Sequence, residues 1–452
     1  MAFLEPSPVE IVISETMIPK ATDSLPMKTI TLERLFLLSL DNAIFLEKYK
    51  GNFKTMNLSI KNKYLLLICL IYFGFWQYSF AQNTDKNCFR TGAERPELYL
   101  PLLKDKNIAI VTNQTGLLKD KTHLVDFLVK NNIKIKSIFA PEHGFRGDAD
   151  AGEHVKNGVD TKTGIPIVSL YGDNKKPKPE QLAGIDLVLF DIQDVGVRFY
   201  TYISTLSYVM EACAENNKEI VVLDRPNPQD GYIDGPVLKE KWASFVGLHQ
   251  VPVVYGLTIG EYGKMVNGEK WLKNGVQAKY TLIPLMNYHK KLRYPISAKP
   301  SPNLPNDRAI NLYPSLCFFE GTQVSVGRGT DLPFQIYGSP WTKTFQYQFT
   351  PKPNSGAKDP FLNGKLCYGE NLSSTENLQA LNLEWVLKAY KNYKNPGQDF
   401  FLKNLWFDTL AGSDELRKQI VAGKSAAEIK NSWQKDLQNF QKIRSKYVQY
   451  AD

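Results

Sequence analysis

Short apolar segments alternate with amphipathic segments through the first half of this chain. Five runs rich in Val, Ile and Leu predict strands, at residues 107–113, 134–140, 166–171, 185–191 and 219–224. Residues 120–131 and 201–216 carry apolar side chains at helical spacing. Strands buried on both faces are continuous apolar runs in the sequence, and helices between strands allow them to run parallel. The alternation therefore predicts an α/β fold with a parallel, doubly wound sheet.

The second half of the chain has a different character. Proline-rich and aromatic loops occupy residues 295–340, and helical spacing returns at about 376–393 and 425–448. A chain of this length is expected to form two domains, each with its own core. We expect one domain over residues 98–290 and a smaller α+β domain over 291–452, with residues 82–97 as a linker before them.

A secretory signal peptide is predicted over residues 56–81. Two lysines precede the apolar run 64–76, and a small-x-small cleavage site follows at Ser79-Phe-Ala81. A transmembrane helix would need about 20 uninterrupted apolar residues, so stable membrane insertion after cleavage is not expected. Met56 stands where a signal peptide should start, and residues 1–55 are therefore expected to be a mis-called upstream extension. The mature protein is then periplasmic or secreted.

Charge and cysteine content narrow the possible functions. The formal net charge is +9, but the Lys and Arg residues are spread along the chain without basic runs. A nucleic-acid partner is therefore not expected, whereas attraction to acidic glycan fragments agrees with the charge. The four cysteines after the signal peptide have no C-x-x-C spacing, which disfavours zinc; they are Cys88, Cys213, Cys317 and Cys367. One disulfide is compatible with them, and its pairing is left open.

Polar clusters follow every predicted strand at its carboxyl end. They are Asn113-Gln-Thr-Gly116, Pro141-Glu-His-Gly-Phe-Arg-Gly-Asp148, Tyr171-Gly172, Asp191-Ile-Gln-Asp-Val-Gly-Val-Arg-Phe-Tyr-Thr-Tyr202 and Asp224-Arg-Pro-Asn-Pro228. Open α/β sheets bind their ligands outside the carboxyl ends of the strands. One such cluster alone is more often turn and capping chemistry, as expected for Asp120 at the start of its helix. Five clusters rich in carboxylate, guanidinium and amide groups favour a shared active site.

Several common site motifs are absent from the sequence. Asn113-Gln-Thr-Gly116 lacks the Gly-x-Gly-x-x-Gly pattern of dinucleotide sites, and neither a P-loop nor a Gly-x-Ser-x-Gly elbow occurs. No cofactor is therefore expected. Glu142 and His143, with carboxylates at positions 148, 150 and 153, could bind a metal, but no second His follows at helical spacing, so metal is the minority interpretation. Carbohydrate hydrolysis by a pair of carboxylates is the natural chemistry that remains.

Longer strings around these clusters resemble the NamZ-like exo-β-N-acetylmuramidase family. They include Val111-Thr-Asn-Gln-Thr-Gly116, Ala140-Pro-Glu-His-Gly-Phe-Arg-Gly-Asp148, Leu223-Asp-Arg-Pro-Asn-Pro228, Ser301-Pro-Asn-Leu-Pro305 and Gly412-Ser-Asp-Glu-Leu-Arg417. They follow the order of the family, and the resemblance spans residues 98–452. It implies a Rossmann-like domain joined to a smaller C-terminal domain, with the active site in the cleft between them.

The resemblance also implies a reaction: hydrolysis that releases a non-reducing terminal N-acetylmuramic acid linked β-1,4 to N-acetylglucosamine. The expected substrates are peptidoglycan-derived muropeptides or the MurNAc–GlcNAc disaccharide. The Glu of the family's Pro-Glu-His-Gly motif corresponds to Glu142, which we expect to be the general acid, oriented by His143 and Arg146. The candidates for the partner carboxylate are Asp191, Asp194 and Glu320. Ser325-Val-Gly-Arg-Gly329 departs from the family's usual Ser-Glu-Gly-Arg-Gly and removes one carboxylate.

Ten residues of the clusters are candidates for substrate binding. They are Asn113, Arg146, Tyr171, Gln193, Arg198, Tyr200, Asp224, Arg225, Asn227 and Arg328. Aromatic faces suit sugar rings, and an arginine fork suits the lactyl carboxylate that distinguishes muramic acid. We expect Arg198 or Arg328 to bind that carboxylate, and Arg225 to pair with a neighbouring Asp. The alternative is a non-catalytic periplasmic muropeptide- or sugar-binding protein, which would need the binding groups but not the acid.

Overall fold

The computed structural model describes residues 88–145 and 157–451. Its main sheet has seven strands: β1 Asn107–Thr112, β2 Lys134–Ala140, β3 Gly158–Val159, β4 Pro166–Ser169, β5 Leu187–Asp191, β6 Glu219–Leu223 and β7 Lys279–Ile283. Their spatial order is β3-β4-β2-β1-β5-β6-β7. The predicted signal peptide and Arg146 lie outside the described residues.

Every neighbouring pair of strands in this sheet is parallel except β3 with β4. The chain first builds outward from β1 through β2 and β4, and then returns to the other side of β1 with β5. This reversal is the topological switch point of a Rossmann-like fold. The five predicted strands are confirmed. β7 escapes prediction because it is an edge strand, on which exposed Lys279 and Thr281 interrupt the apolar residues.

Alternating side chains of the strands contribute to two apolar layers. On β5, Leu187 and Leu189 belong to one layer, whereas Val188 and Phe190 belong to the other. The first layer is covered by helices α1 (Pro96–Leu103) and α2 (Leu124–Lys130), and the second by α3 (Tyr202–Glu215) and α4 (Ile259–Gly268). Because both faces of the strand are covered, its sequence is a continuous apolar run. The predicted doubly wound α/β fold is confirmed.

Helix α2 begins later than the sequence pattern indicates. His123 is its N-cap, and the His123 Nδ1 accepts a hydrogen bond from the Val125 N–H at 3.2 Å. Asp120, the expected cap, instead accepts a hydrogen bond from the Thr122 N–H at 2.9 Å. An Asp side chain that bonds the backbone two residues on forms a local turn, and this turn delays the helix.

A smaller α+β unit follows, as predicted. Its sheet is antiparallel, with β8 Ile336–Ser339, β9 Tyr347–Phe349 and β10 Cys367–Asn371 in the order β8-β10-β9. Its helices are α5 Asp307–Leu316, α6 Glu384–Asn392, α7 Trp406–Ala411, α8 Glu415–Val421, α9 Ala426–Ser432 and α10 Gln434–Arg444. The predicted single helix over 425–448 is two helices, because the chain leaves helical geometry at Trp433.

The two domains share one apolar core. Its side chains come from α3 and α4 of the first domain and from α5, α6 and α7 of the second. Across the boundary, the rings of Phe199 and Phe318 pack edge to face with centroids 5.9 Å apart. A shared core of this kind fixes the two domains against each other, and therefore fixes the shape of a cleft between them.

Candidate active site

A cleft of about 1120 Å³ opens between the two domains. The first domain lines it with loops after β2 and β4, with the start of α3 and with a hairpin at residues 244–247; the second lines it with the end of α5, residues 317–334 and the start of α7. The lining side chains with polar or aromatic groups include Glu142, His143, Tyr171, Lys175, Tyr200, Thr201, Phe245, Tyr313, Cys317, Glu320, Arg328, Phe334, Lys358, Asp359 and Trp406.

Glu142 lies in the tight turn directly after β2. His143 and Gly144 both have left-handed backbone, with φ of 71° and 76°, and the Gly144 N–H donates to the Pro141 carbonyl at 3.0 Å. A positive φ is unfavourable for a residue with a Cβ by roughly 1–2 kcal/mol, so the surrounding fold must hold this turn. The turn presents the half-buried Glu142 side chain to the cleft.

The position of the Glu142 carboxylate is set by helix α3. Its Oε2 accepts a hydrogen bond from the Thr201 hydroxyl at 2.7 Å. Thr201 is the N-cap residue of α3 and is itself buried. The acid candidate is therefore fixed by a side chain whose own backbone is anchored in a helix.

Glu320 faces the cleft from the second domain as half of an ion pair. Its Oε1 accepts a hydrogen bond from the Arg328 Nε at 2.7 Å, and its Oε2 lies 3.5 Å from the Cys317 thiol. The Arg328 guanidinium also stacks on the Phe334 ring, 4.9 Å from its centroid. Burial lowers the pKa of Arg328, but Glu320, Tyr313 and Cys317 together outweigh burial, and the pKa is raised. Val326, at the position of the departure from the family motif, lines the cleft with an apolar side chain.

Tyr171 and Tyr200 supply aromatic surface on the first-domain wall. The Tyr200 hydroxyl donates to the Pro300 carbonyl at 2.8 Å, and its ring packs edge to face on Tyr202 with centroids 4.8 Å apart. Burial raises the pKa of Tyr200 well above its ordinary value, so the hydroxyl is a neutral donor. The Tyr171 ring lies beside Phe245, with centroids 6.1 Å apart.

The predicted site residues separate into two groups. Those that line the cleft are Glu142, His143, Tyr171, Tyr200, Glu320 and Arg328. Those that are buried and do not line it are Asn113, Asp191, Gln193, Asp194, Arg198, Asp224, Arg225 and Asn227. We call the second group the buried polar frame. The structure does not bring the buried polar frame into the cleft: most of its polar atoms bond to the backbone and to other buried side chains.

The Asp191–Arg225 ion pair is the centre of this frame. The Arg225 Nε and Nη2 donate to the two Asp191 oxygens at 2.6 and 2.8 Å, and the side chains are 2% and 0% exposed. Arg225 pairs with Asp191 rather than with the adjacent Asp224. The pair sits at the switch point beside β1, where Gly116 lies so close that a Cβ would be 2.4 Å from the Thr112 hydroxyl. The ion pair thus lies at the switch point of the sheet, and Asp191 is buried there and does not line the cleft.

Asp194 and Asp224 are carboxyl groups of the same frame. Asp194 accepts hydrogen bonds from the Tyr255 hydroxyl at 2.5 Å and the Gly196 N–H at 2.7 Å, and burial raises its pKa to about 6. Asp224 accepts from the hydroxyls of Tyr450 and Thr258, at 2.5 and 2.8 Å. Burial raises the pKa of Asp224 to about 7. Burial is the largest cause of both shifts, and neither carboxyl group lines the cleft that Glu142 faces.

The amide side chains of the frame also form hydrogen bonds to buried groups of the protein. Asn113 accepts from the Thr115 hydroxyl at 2.6 Å and donates to the Tyr202 hydroxyl at 2.7 Å. Gln193 and Asn227 donate to backbone carbonyls, at 2.6 and 2.7 Å respectively. These hydrogen bonds hold the loops at the strand ends in place.

Arg198 is fully buried, contrary to its predicted role as the lactyl carboxylate binder. Its guanidinium donates to the backbone carbonyls of Pro236, Val251 and Leu410 at 2.7, 2.9 and 2.8 Å. Burial lowers its pKa to about 9. Because Leu410 belongs to α7, Arg198 ties the second domain to the first and has no face toward the cleft.

Several cleft residues were not predicted from the sequence: Lys175, Thr201, Phe245, Lys358 and Asp359. Thr201 belongs to the polar cluster 191–202, but a threonine has neither the charge nor the aromatic ring that makes its neighbours Arg198 and Tyr200 site candidates. The contact of Thr201 with Glu142 joins positions 59 residues apart. Only the packing of α3 beside the end of β2 reveals it.

Within residues 88–145 and 157–451, no group of three or more His, Cys, Asp or Glu side chains is arranged to hold a metal ion. Cys88, Cys213, Cys317 and Cys367 are all free thiols. None of the helices that the structure describes has the length and apolar character required to cross a bilayer.

Comparison with known proteins agrees with the fold and the cleft. Residues 108–308 match the family model for the N-terminal domain of the exo-beta-N-acetylmuramidase NamZ, and residues 311–450 match that for its C-terminal domain. Two crystal structures of DUF1343 family proteins from Bacteroides fragilis are similar. One is 45% identical with a TM-score of 0.74, covering 81% of this chain and 99% of that protein. The other is 28% identical with a TM-score of 0.68, covering 80% and 99%.

A curated relative extends the match over most of the sequence. The peptidoglycan beta-N-acetylmuramidase NamZ of Bacillus subtilis is 39% identical over 391 residues, which are 82% of this chain and 93% of the relative. Both family models fall on the two domains that form the cleft. This chain belongs to the NamZ family of exo-β-N-acetylmuramidases.

Proposed function

We propose that this protein is an exo-acting glycoside hydrolase that releases non-reducing terminal N-acetylmuramic acid from peptidoglycan fragments. The observation that carries the proposal is an open cleft with a glutamate on each wall, Glu142 and Glu320. Glycoside hydrolysis commonly needs two carboxyl groups that flank the scissile bond. The name of the B. subtilis relative, a peptidoglycan beta-N-acetylmuramidase, supports the substrate class.

In this mechanism Glu142 is the general acid. It donates a proton to the glycosidic oxygen as the bond to N-acetylglucosamine breaks. The Thr201 hydroxyl, 2.7 Å from its Oε2, helps to hold this carboxyl group in place at the cleft. A carboxyl group held within a few tenths of an ångström avoids the loss of rate that misplacement brings.

Glu320 supplies the second carboxylate. Positive charge develops on the anomeric carbon in the transition state, and a carboxylate near that carbon stabilises it, either directly or by activating water. The hydrogen bond from Arg328 leaves Glu320 in one orientation. Tyr171 and Tyr200 offer aromatic surface that can border the sugar.

The test is an assay with a chromogenic β-glycoside of N-acetylmuramic acid. Glu142→Gln keeps the side-chain size but removes the acid, so kcat should fall by about 10²- to 10⁴-fold. Glu376→Gln changes an exposed glutamate elsewhere and serves as the matched control. If wild-type protein binds the sugar in calorimetry but never hydrolyses it, the protein is a muropeptide-binding protein and the enzymatic proposal is wrong.

The proposed location is the periplasm or the exterior of the cell, and it rests on the predicted signal peptide over residues 56–81. Peptidoglycan fragments occur on that side of the inner membrane. Mass spectrometry of the protein exported by its native host should give a first residue at or near Gln82. Recovery of an intact cytosolic chain that retains residues 1–81 would contradict this location.

A further inference from the structure

We propose that Lys175 binds the carboxylate of the substrate and thereby selects muramic acid over N-acetylglucosamine. The inference rests on the proposed function, since it names the group that recognises the substrate anion in the same cleft. It replaces the expectation that an arginine does so.

Neither candidate arginine offers an unpaired charge to the cleft. Arg198 is fully buried and bonds three backbone carbonyls. Arg328 does line the cleft, but its Nε is already 2.7 Å from the Glu320 carboxylate. A guanidinium neutralised by an acid attracts a second carboxylate much less than a cation without such a partner.

Lys175 lies in the cleft wall, and no carboxylate of the described residues pairs with it. Its Nζ stands over the Phe245 ring, 4.9 Å from the centroid. Among the ion pairs of the described residues, none involves Lys175, and the side chain is half-buried. A cation–π contact holds an ammonium group in place but does not cancel its charge. The three N–H donors remain able to bond a carboxylate.

The backbone around Lys175 is braced on both sides. Before it, the Leu170 N–H donates to the Ala140 carbonyl at 2.7 Å, and the Asn174 side chain donates to the Ser169 carbonyl at 2.7 Å. After it, Lys176 turns the other way and pairs with Glu211 of α3 at 2.6 Å. Lys175 therefore projects toward the cleft from a fixed segment, which reduces the entropy that binding must overcome.

Phe245 is also held in place. It stands at the tip of a hairpin in which Ser244 and Gly247 exchange backbone hydrogen bonds at 2.9 and 3.0 Å. Its ring stacks on Tyr208 with an interplanar angle of 8° and lies beside Tyr171. The aromatic group thus provides a preformed platform for the ammonium group.

The segment that carries Lys175 is hydrogen-bonded to the strand that precedes Glu142. The bond between Leu170 and Ala140 joins the segment of Lys175 to the strand that ends just before Glu142. The lactyl ether is on the same ring whose glycosidic oxygen takes the proton. In bare muramic acid the carboxylate is the lactyl group itself; in muropeptides that group is amide-bonded, and the nearest carboxylates belong to the peptide. Lys175 recognises the shared chemistry, a substrate carboxylate at this end of the cleft.

The experiment compares kcat/KM of wild-type protein and Lys175→Met on chromogenic glycosides of muramic acid, of N-acetylglucosamine and of muramic acid bearing an L-Ala-D-Glu peptide. We expect a loss of about 10- to 100-fold, mainly through KM, for a substrate that carries the recognised carboxylate. The loss for N-acetylglucosamine should be at least ten times smaller. Lys175→Arg should restore most of the discrimination.

Lys178→Met is the matched control, because Lys178 is an exposed lysine in the same segment and does not line the cleft. A loss confined to bare muramic acid identifies the lactyl carboxylate, and a loss confined to the peptide-bearing substrate identifies the peptide carboxylate; either supports the proposal. Equal losses on all three glycosides overturn it, as does a selective loss in Lys358→Met instead of Lys175→Met. Inactivity of wild-type protein on every muramic acid glycoside would instead refute the proposed function.

Discussion

The buried polar frame and the cleft are built from the same kinds of residues with opposite consequences. Each contains an arginine–carboxylate pair, Arg225 with Asp191 in the frame and Arg328 with Glu320 in the cleft. The frame pair is at most 2% exposed, whereas the cleft pair is 22% and 23% exposed. Breaking a buried pair leaves an unpaired charge in a medium that solvates it poorly, while water can solvate the remnant of an exposed pair.

A polar residue in a family motif therefore need not touch the substrate. Substitutions in the frame should change the free energy of unfolding and leave the activity of the folded protein intact. Substitutions in the cleft should lower the activity and change the free energy of unfolding little.

Asp191→Asn should destabilise the protein by about 3–5 kcal/mol, because it leaves the Arg225 charge buried without its partner. Urea unfolding followed by fluorescence measures the loss, and kcat/KM should be normal below the unfolding transition. The matched substitution is Glu320→Gln, which should cost less than about 1 kcal/mol of stability yet lower kcat strongly. A stable but inactive Asp191→Asn protein would show that Asp191 is needed for catalysis and contradict this prediction.

Arg198→Met should destabilise the protein by about 2–4 kcal/mol, since buried carbonyls at Pro236, Val251 and Leu410 lose their donors. The flexible Met side chain fills most of the space of the arginine stem. The ratio of kcat/KM for muramic acid and N-acetylglucosamine glycosides should be unchanged. If that ratio falls selectively for muramic acid, the carboxylate is bound through Arg198 after all.

Asp194 should make the protein less stable as the pH rises. Burial raises its pKa from 3.8 to about 6, so between these values the folded state retains a proton that the unfolded state has released. The stabilisation is therefore complete below about pH 4 and is lost as the pH rises through about 6. In Asp194→Asn, the fall in unfolding free energy between pH 4 and pH 8 should be smaller by up to about 3 kcal/mol.

Unfolding curves at five pH values across this range would measure the difference. Asp173→Asn, at an exposed aspartate, is the control and should parallel wild-type protein. Asp224, whose pKa burial raises to about 7, acts in the same direction and remains in both proteins. Parallel curves for Asp194→Asn and wild type would mean that Asp194 is ionised in the fold at low pH.

The sequence predicted the sheet well because the inner strands are buried on both faces. Val188 and Phe190 pack on one side of β5, and Leu187 and Leu189 on the other, which leaves a continuous apolar run. The edge strand β7 has no such run and was missed. The spacing of apolar residues within one segment is enough to predict such a strand, because it depends only on which faces of that strand are buried.

The division between frame and cleft could not be predicted, because it depends on contacts that are distant in sequence. Arg198 is a frame residue only because carbonyls at positions 236, 251 and 410 surround it. Asp191 and Glu320 are both acids in motif strings, and only the packing of two domains buries one and exposes the other. Residue type at a strand end therefore predicts a polar cluster, but not which of its members meet solvent.

The smallest predicted effect concerns the boundary between the two regions. Thr201 is buried in the fold, yet its hydroxyl donates to the catalytic candidate Glu142 at 2.7 Å. It is a positioning residue, so Thr201→Val should lower kcat by about five- to tenfold, which corresponds to the roughly 1 kcal/mol of one hydrogen bond.

The KM of Thr201→Val should stay within about twofold, because the hydroxyl orients the acid and does not bind the sugar. Thr201→Ser keeps the hydroxyl and should recover most of kcat. A merely structural role would lower the unfolding free energy in both variants and leave kcat per folded molecule unchanged. If Thr201→Val loses kcat and Thr201→Ser recovers it at equal stability, Thr201 acts on the catalytic group in the cleft. Only a hydroxyl that orients Glu142 distinguishes the two variants.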